Sequence, residues 1–495
     1  NNTDAYTYIA ESFSPMAPEA PAVEGQLFSP GTHATWIYDG KFVDRPGMSA
    51  PLQAPNPAIE KLFKKLIPER DSLKSLPMNL IWDHVVPGPD GPAQFVSADS
   101  CRGCHDASAL LGNRLPAMAV VDYERVGDQP NVFTQYNLAE WGEWSSSTMG
   151  LSGRDPVFHA QLEAERALRP EYGDYIADFC LSCHTPMGQR SFHAEFGDDQ
   201  YFTEDILYET SSGKYAKEAV LARDGVSCTV CHHITPEKLG TAESFNAKFD
   251  VGPPNEVYGP FDDPLTYPMQ QAVGITPKPG AQIVQSKLCG SCHTVRPPAI
   301  PIYPNGGGPN PPPPPTSYPQ VHEQSTYLEW LNSLYNDETR KTPKTRFCAE
   351  CHMPDVLPRG LTQNDPKSPT NILTPKRDLS TLSFQIANVE DGYYPELDNR
   401  ADFEEITPPI RPYRRHTLVG LNVFTTRMVQ QFHDLVGYSI ANPELNSMSD
   451  ASRPVWRLEL TEREAIDLGR HHTIELGIEN IEQDDETLNV DVHIK

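Results

Sequence analysis

Five copies of a single pattern, Cys-x-x-Cys-His, constrain this chain more than any other feature of it. They are CRGCH (Cys101, Cys104, His105), CLSCH (Cys180, Cys183, His184), CTVCH (Cys228, Cys231, His232), CGSCH (Cys289, Cys292, His293) and CAECH (Cys348, Cys351, His352). Together they use all ten cysteines. On a helical turn, positions i, i+3 and i+4 share one face. Each copy therefore presents two thiols and an imidazole side by side.

Several chemistries are disfavoured by that count and order. Structural zinc would pair the motifs in twos, and five is odd. A thioredoxin-like redox site uses one Cys-x-x-Cys and needs no trailing histidine. A disulfide framework gives no reason for histidine after every second cysteine. The reading that remains is covalent attachment of five haem c groups. The two thiols form thioethers with the haem vinyl groups, and His105, His184, His232, His293 and His352 are the proximal iron ligands. Haem c is attached outside the cytoplasmic membrane, so a periplasmic or extracellular location is expected. The first residues, NNTDAYTYIAESF, lack the charged-then-apolar pattern of a signal peptide and read as a mature N-terminus. No apolar run approaches the ~20 residues needed to span a bilayer.

Composition fits a core that is not mainly aliphatic. The 495 residues include 49 prolines and only 38% hydrophobic residues. Proline removes a backbone donor and interrupts both helix and sheet. The expected fold is mainly α with extensive coil, the haems forming the core, and a small C-terminal β segment. The net charge of -27 argues against a nucleic-acid partner. It also disfavours an anionic membrane surface and suits basic redox partners or cationic metal species.

Three regions follow. Residues 1–90 form a Pro/Ala-rich arm with one short helix, capped by Asn56, opened by Pro57 and striped by Ile59, Leu62, Phe63 and Leu66. Residues 91–440 hold the five motifs, too unevenly spaced for a solenoid. Helices are expected from Asp155-Pro156 through HAQLEAERAL, in TYLEWLNSLY and in VFTTRMVQQFHDL, and PNGGGPNPPPPP (Pro304–Pro315) reads as an exposed spacer. In residues 441–495, WRLEL, TIELGI and LNVDVHIK alternate apolar and polar and read as strands, the last two as a hairpin. Ending at Lys495, the last strand is expected either to pair at an edge, with another subunit as one option, or to precede a further segment.

Sixteen histidines are present, and those outside the motifs are the pool of distal ligands. His233 follows proximal His232 directly and, pointing differently, can reach a second haem. His416 sits in RRHTLVGLN beside two arginines that suit propionates and a glycine that allows close approach. His159 and His322 are the next candidates, and the fifth ligand is open among Met149, His33, His84 and His193. His433, His471, His472 and His493 read as structural.

The blocks ARDGVSCTVCHHI, EVYGPFDDP, LCGSCHTV, TYLEWLNS, CAECHMP and RRHTLVGLNVF, spread over about residues 95 to 435, resemble a family of exported multihaem cytochromes from anaerobic, often metal-respiring, bacteria and archaea. The resemblance implies low-potential electron carriers and relatives that polymerise into extracellular conducting filaments. It also implies His233 and His416 as distal ligands. Members often continue into a β-rich domain with a Gly-His-Lys-like turn, which this sequence does not reach.

Electron transfer between closely packed haems is therefore the expected function, with the protein a carrier and not an enzyme. The alternative is a multihaem reductase of nitrite, hydroxylamine or a sulfur oxyanion with one open iron. Pentahaem nitrite reductases usually carry Cys-x-x-Cys-Lys at the active haem, a motif missing from this sequence. Expected partners are redox proteins or an extracellular acceptor, with self-assembly through the N-terminal arm and the last strand as a further option.

Overall fold

A computed structural model describes residues 94–105, 119–126, 129–137, 139–207, 209, 213–264, 266, 269–270, 273–303, 308–339, 341–355, 383–385, 410–436, 456–469, 473, 476–483 and 487–494. The N-terminal arm, with its expected helix from Asn56, and residues His33 and His84 lie outside this set.

In chain order the elements are α1 (Asp99–His105), β1 (Ala119–Val126), β2 (Gln129–Asn137), α2 (Glu140–Trp144), α3 (Pro156–Leu168), α4 (Gly173–His184), α5 (Pro186–Phe196), α6 (Glu204–Leu207), α7 (Ala216–Arg223) and α8 (Cys228–His233). There follow β3 (Glu256–Gly259), β4 (Thr276–Pro279), α9 (Ser286–Gly290), α10 (Thr326–Leu331), α11 (Cys348–His352), β5 (Ser383–Gln385), β6 (Ile410–Pro412), α12 (Val423–Val436), α13 (Trp456–Leu468), β7 (Leu476–Gln483) and β8 (Leu488–Ile494). Helix dominates the described residues, as expected, and sheet is confined to two-stranded ladders. β3–β4 is parallel, and β1–β2, β5–β6 and β7–β8 are antiparallel.

Local chemistry explains where the expected helices begin. The Asp155 carboxylate accepts from Val157 N at 2.9 Å and Phe158 N at 3.5 Å, and Pro156 fills the first turn of α3. Leu162 of α3 then packs with Ala177 and Leu181 of α4, Phe192 of α5 and Ala222 of α7 in one buried cluster. A second cluster joins Phe95, Met187, Leu221, Val230, Phe249 and Leu288, and half-buried Cys183, Cys231 and Cys292 lie against it. The motif cysteines thus border the apolar core. In the proline-rich segment, Tyr172 Oη donates to Pro313 O at 2.8 Å.

The C-terminal region departs from expectation at WRLEL, which opens helix α13 and is not a strand. Its apolar alternation is too short to fix a period. The continuation TEREAIDL settles it, because buried Leu458, Thr461, Glu462, Ala465 and Leu468 recur at helical spacing. Arg427 of α12 donates to Glu462 at 2.7 Å, and Gln430 adds a second bond at 2.9 Å. Arg457 of α13 donates to Ser145 Oγ at 2.9 Å, tying α13 to the end of α2. The expected hairpin forms as β7–β8. Among the described residues, no helix is long and apolar enough to cross a membrane.

Candidate functional site

Each motif lies on a helical turn. The first closes α1, the second closes α4, the third opens α8 and the fifth is α11. The fourth begins in α9, and His293 N still donates to Cys289 O at 2.9 Å, so the turn continues to the histidine. The nine cysteines whose side chains are described are free thiols.

Packing brings the motifs against one another in a defined order. Cys101 of the first motif lies beside Cys228 of the third. Cys183 of the second lies beside Cys292 of the fourth, and Cys289 of the fourth beside Cys348 of the fifth. Cys231 of the third lies beside both fourth-motif thiols. The fourth motif therefore neighbours the second, third and fifth, while the first joins through the third. Backbone contacts fix these junctions. Ala98 N donates to Asp224 at 2.8 Å, Thr229 Oγ1 donates to Val96 O at 2.9 Å, and Cys348 N donates to Ser286 Oγ at 3.0 Å. Burial pushes the Cys180 and Cys231 thiols up to about 12.

The motif imidazoles are oriented from behind. His232 Nδ1 donates to Tyr258 O at 2.6 Å and His352 Nδ1 to Val419 O at 2.6 Å. His105 Nδ1 faces the Glu140 carboxylate at 3.1 Å. A donating Nδ1 leaves the Nε2 lone pair free, which is the arrangement found behind metal-bound histidines. His184 is positioned differently, with its ring stacked on Phe158 at 3.6 Å and 7°. Its buried Nδ1 has no hydrogen-bond partner among the described residues.

The distal candidates separate by environment. His233 is 1% exposed and stacks on Phe95, with ring centroids 5.8 Å apart. The Gln94 backbone lies near its ring, yet neither nitrogen makes a hydrogen bond of normal geometry. A buried imidazole left so costs free energy unless something else engages it. His416 points Nδ1 at Arg414 O, 3.1 Å away, and lies near His105, Glu140 and His232. His159 is buried on α3, with Nε2 3.1 Å from Gly153 O, and lies near His184. Burial pushes His159, His184, His233 and His416 down to about 4, which keeps them neutral and able to ligate.

The other candidates sit elsewhere. His322 is exposed, between the Val295–Gln324 and Pro298–Gln320 bridges. His193 has both nitrogens engaged, Nε2 with Asp178 at 2.7 Å and Nδ1 with Gly197 O at 3.3 Å. Met149 packs against the Phe95 cluster. His433 lies within α12, and His471 and His472 lie outside the described residues. His493 is exposed on β8, its Nε2 3.4 Å from the Glu479 carboxylate.

Two features escape a reading of the sequence. Arg415, expected to suit a propionate, is instead buried and shared by two carboxylates, Glu143 at 2.6 Å and Glu464 at 2.8 Å. Burial pushes Glu143 up to about 7, against the pull of Arg415 and with a push from Glu464. Arg415 is also raised, because its burial is outweighed by both carboxylates. The two shifts fit together, since one cation cannot fully offset two buried anions. The second feature is Glu140 behind His105. Carboxylates in the tryptophan-rich AEWGEW were the available signal for both, because acids are rarely buried unpaired. The carbonyls of Tyr258 and Val419 carry no sequence signal.

No protein-family model matches the chain, and neither a curated protein nor a solved structure shows detectable similarity to it. The resemblance to exported multihaem cytochromes rests on its motif blocks.

Proposed function

We propose that this protein carries electrons through five covalently bound c-type haems, in periplasmic or extracellular respiration. The observation that carries the reading is the contact between motifs. Thiols of the first and third, second and fourth, and fourth and fifth motifs lie side by side, so cofactors attached there would be near neighbours. The donor set also suits haem. It offers thiols in pairs, imidazoles held with Nε2 available, and a buried His233 whose nitrogens make no hydrogen bond of normal geometry among the described residues.

The cysteine pairs would hold each haem, His105, His184, His232, His293 and His352 would ligate from one side, and His233, His416 and His159 are the distal ligands the burial pattern favours. Bound haem c supplies a one-electron iron couple at each motif. The chain's own part is to fix the motifs in contact, shield them with the Phe95 and Leu162 clusters, and orient the imidazoles. With the fourth motif beside three others, the array would be branched. Its outer ends are the first, second and fifth motifs.

Low-temperature EPR of the oxidised protein, with a haem count on the same sample, tests the proposal. Five haems with only low-spin ferric signals are expected of a carrier. A high-spin fraction near one in five would shift the reading to a reductase with an open iron. A subunit role in a filament is tested by cryo-EM across salt and protein concentration, where only single particles would count against it.

A further inference from the structure

For three of the motif imidazoles the nitrogen behind the ring meets a partner, and the partners are of two kinds. For the third and fifth motifs it meets a neutral backbone carbonyl, Tyr258 O and Val419 O, both at 2.6 Å. For the first motif it meets an acid, Glu140 Oε2, at 3.1 Å. Glu140 opens α2, whose Trp141 and Trp144 pack with Ala98, just ahead of α1, in one buried cluster. The carboxylate is therefore delivered to His105 by packed secondary structure and not by a free loop. The Glu140 side chain retains 22% of its surface.

We infer that Glu140 is a positioning residue that lowers the reduction potential of the first motif's haem below those of the third and fifth. This rests on the haem reading above. The physical chain is short. A carboxylate accepting from Nδ1 draws the proton toward itself and makes Nε2 a stronger electron donor, whereas a carbonyl does so more weakly. A stronger axial donor, with a negative charge nearby, favours ferric over ferrous iron. Reduction adds one electron to the iron and neither forms nor breaks a bond. The electron comes from the donor protein, or from dithionite in a titration. The first motif is also an outer end of the array, touching only the third among the contacts described. A low potential there makes it the end from which electrons run downhill into the branch.

The test is a dithionite titration of the haem-loaded protein, wild type against Glu140→Gln, followed optically with a haem count on each sample. Glutamine keeps an acceptor oxygen and removes the charge. One of five one-electron components should move to a more positive potential, the other four should stay, and Glu140→Asp should restore part of the shift. Five haems in both proteins with no component moved, or all five moved together, would overturn the inference. A wild type without covalent haem overturns the haem reading itself, and the haem count distinguishes that result.

Discussion

Gly290 lies directly beneath the ring of Tyr327: a Cβ placed on it would fall 2.6 Å from the aromatic carbon Cγ. The ring is 2% exposed, and Tyr327 Oη donates to Glu338 at 2.9 Å, so it has no easy retreat. Gly290 is the first variable position of the fourth motif, the one that neighbours three others. Its identity follows from the packing of α10 on α9.

Gly290→Ala should therefore lower stability by about 1–3 kcal/mol, the range for forcing extra volume into a packed core. Chemical denaturation of the haem-loaded protein measures it. A change at the surface-substitution level, within about 0.5 kcal/mol, would mean that the ring does not press on this motif.

Arg415→Met should be more damaging. It leaves Glu143 and Glu464 facing each other in a buried site without their shared cation. Removing one partner of a buried pair costs about 3–5 kcal/mol. Adding Glu143→Gln to the same chain should recover part of the loss, because it removes one of the stranded charges. Melting curves of the single and double variants check this, and equal melting temperatures would contradict it.

His193 gives a pH signature. The hydrogen bond His193 donates to Asp178 outweighs burial and raises its pKa above 6.5. Its contribution is thus fully present below pH 6.5 and is lost as pH rises through the folded-state value. The stability difference between wild type and His193→Gln should be largest in mild acid and shrink toward alkaline pH. Denaturation midpoints across that range decide it. A difference that grows with pH would show that Asp178 does not stabilise the protonated ring.

His233 predicts opposite outcomes with and without haem. In the haem-free chain both buried ring nitrogens lack a hydrogen bond of normal geometry among the described residues, so His233→Leu should be neutral or stabilising. In the haem-loaded protein the same change should convert one low-spin iron to high-spin. Loss of stability in the haem-free chain with an unchanged EPR spectrum would remove His233 from the ligand set.

The motifs, the start of α3 and helix α12 were legible in the sequence because each is written locally. Cys-x-x-Cys-His spacing is a property of one turn, and Asp155-Pro156 is a cap with its first-turn proline. WRLEL was misread because three alternating apolar residues do not determine a period until Ala465 and Leu468 extend it. His193 and Arg415 looked available because their partners Asp178, Glu143 and Glu464 lie 15 or more residues away. The order of motif contacts was not legible at all. It depends on long-range bonds such as Ala98 N to Asp224, which no spacing within a motif reveals.

Intact mass spectrometry of the denatured, reduced protein tests the central claim most directly. The account predicts a mass equal to the chain plus five haems, with no cysteine open to alkylation. A bare chain mass with all ten thiols free to alkylate would contradict it.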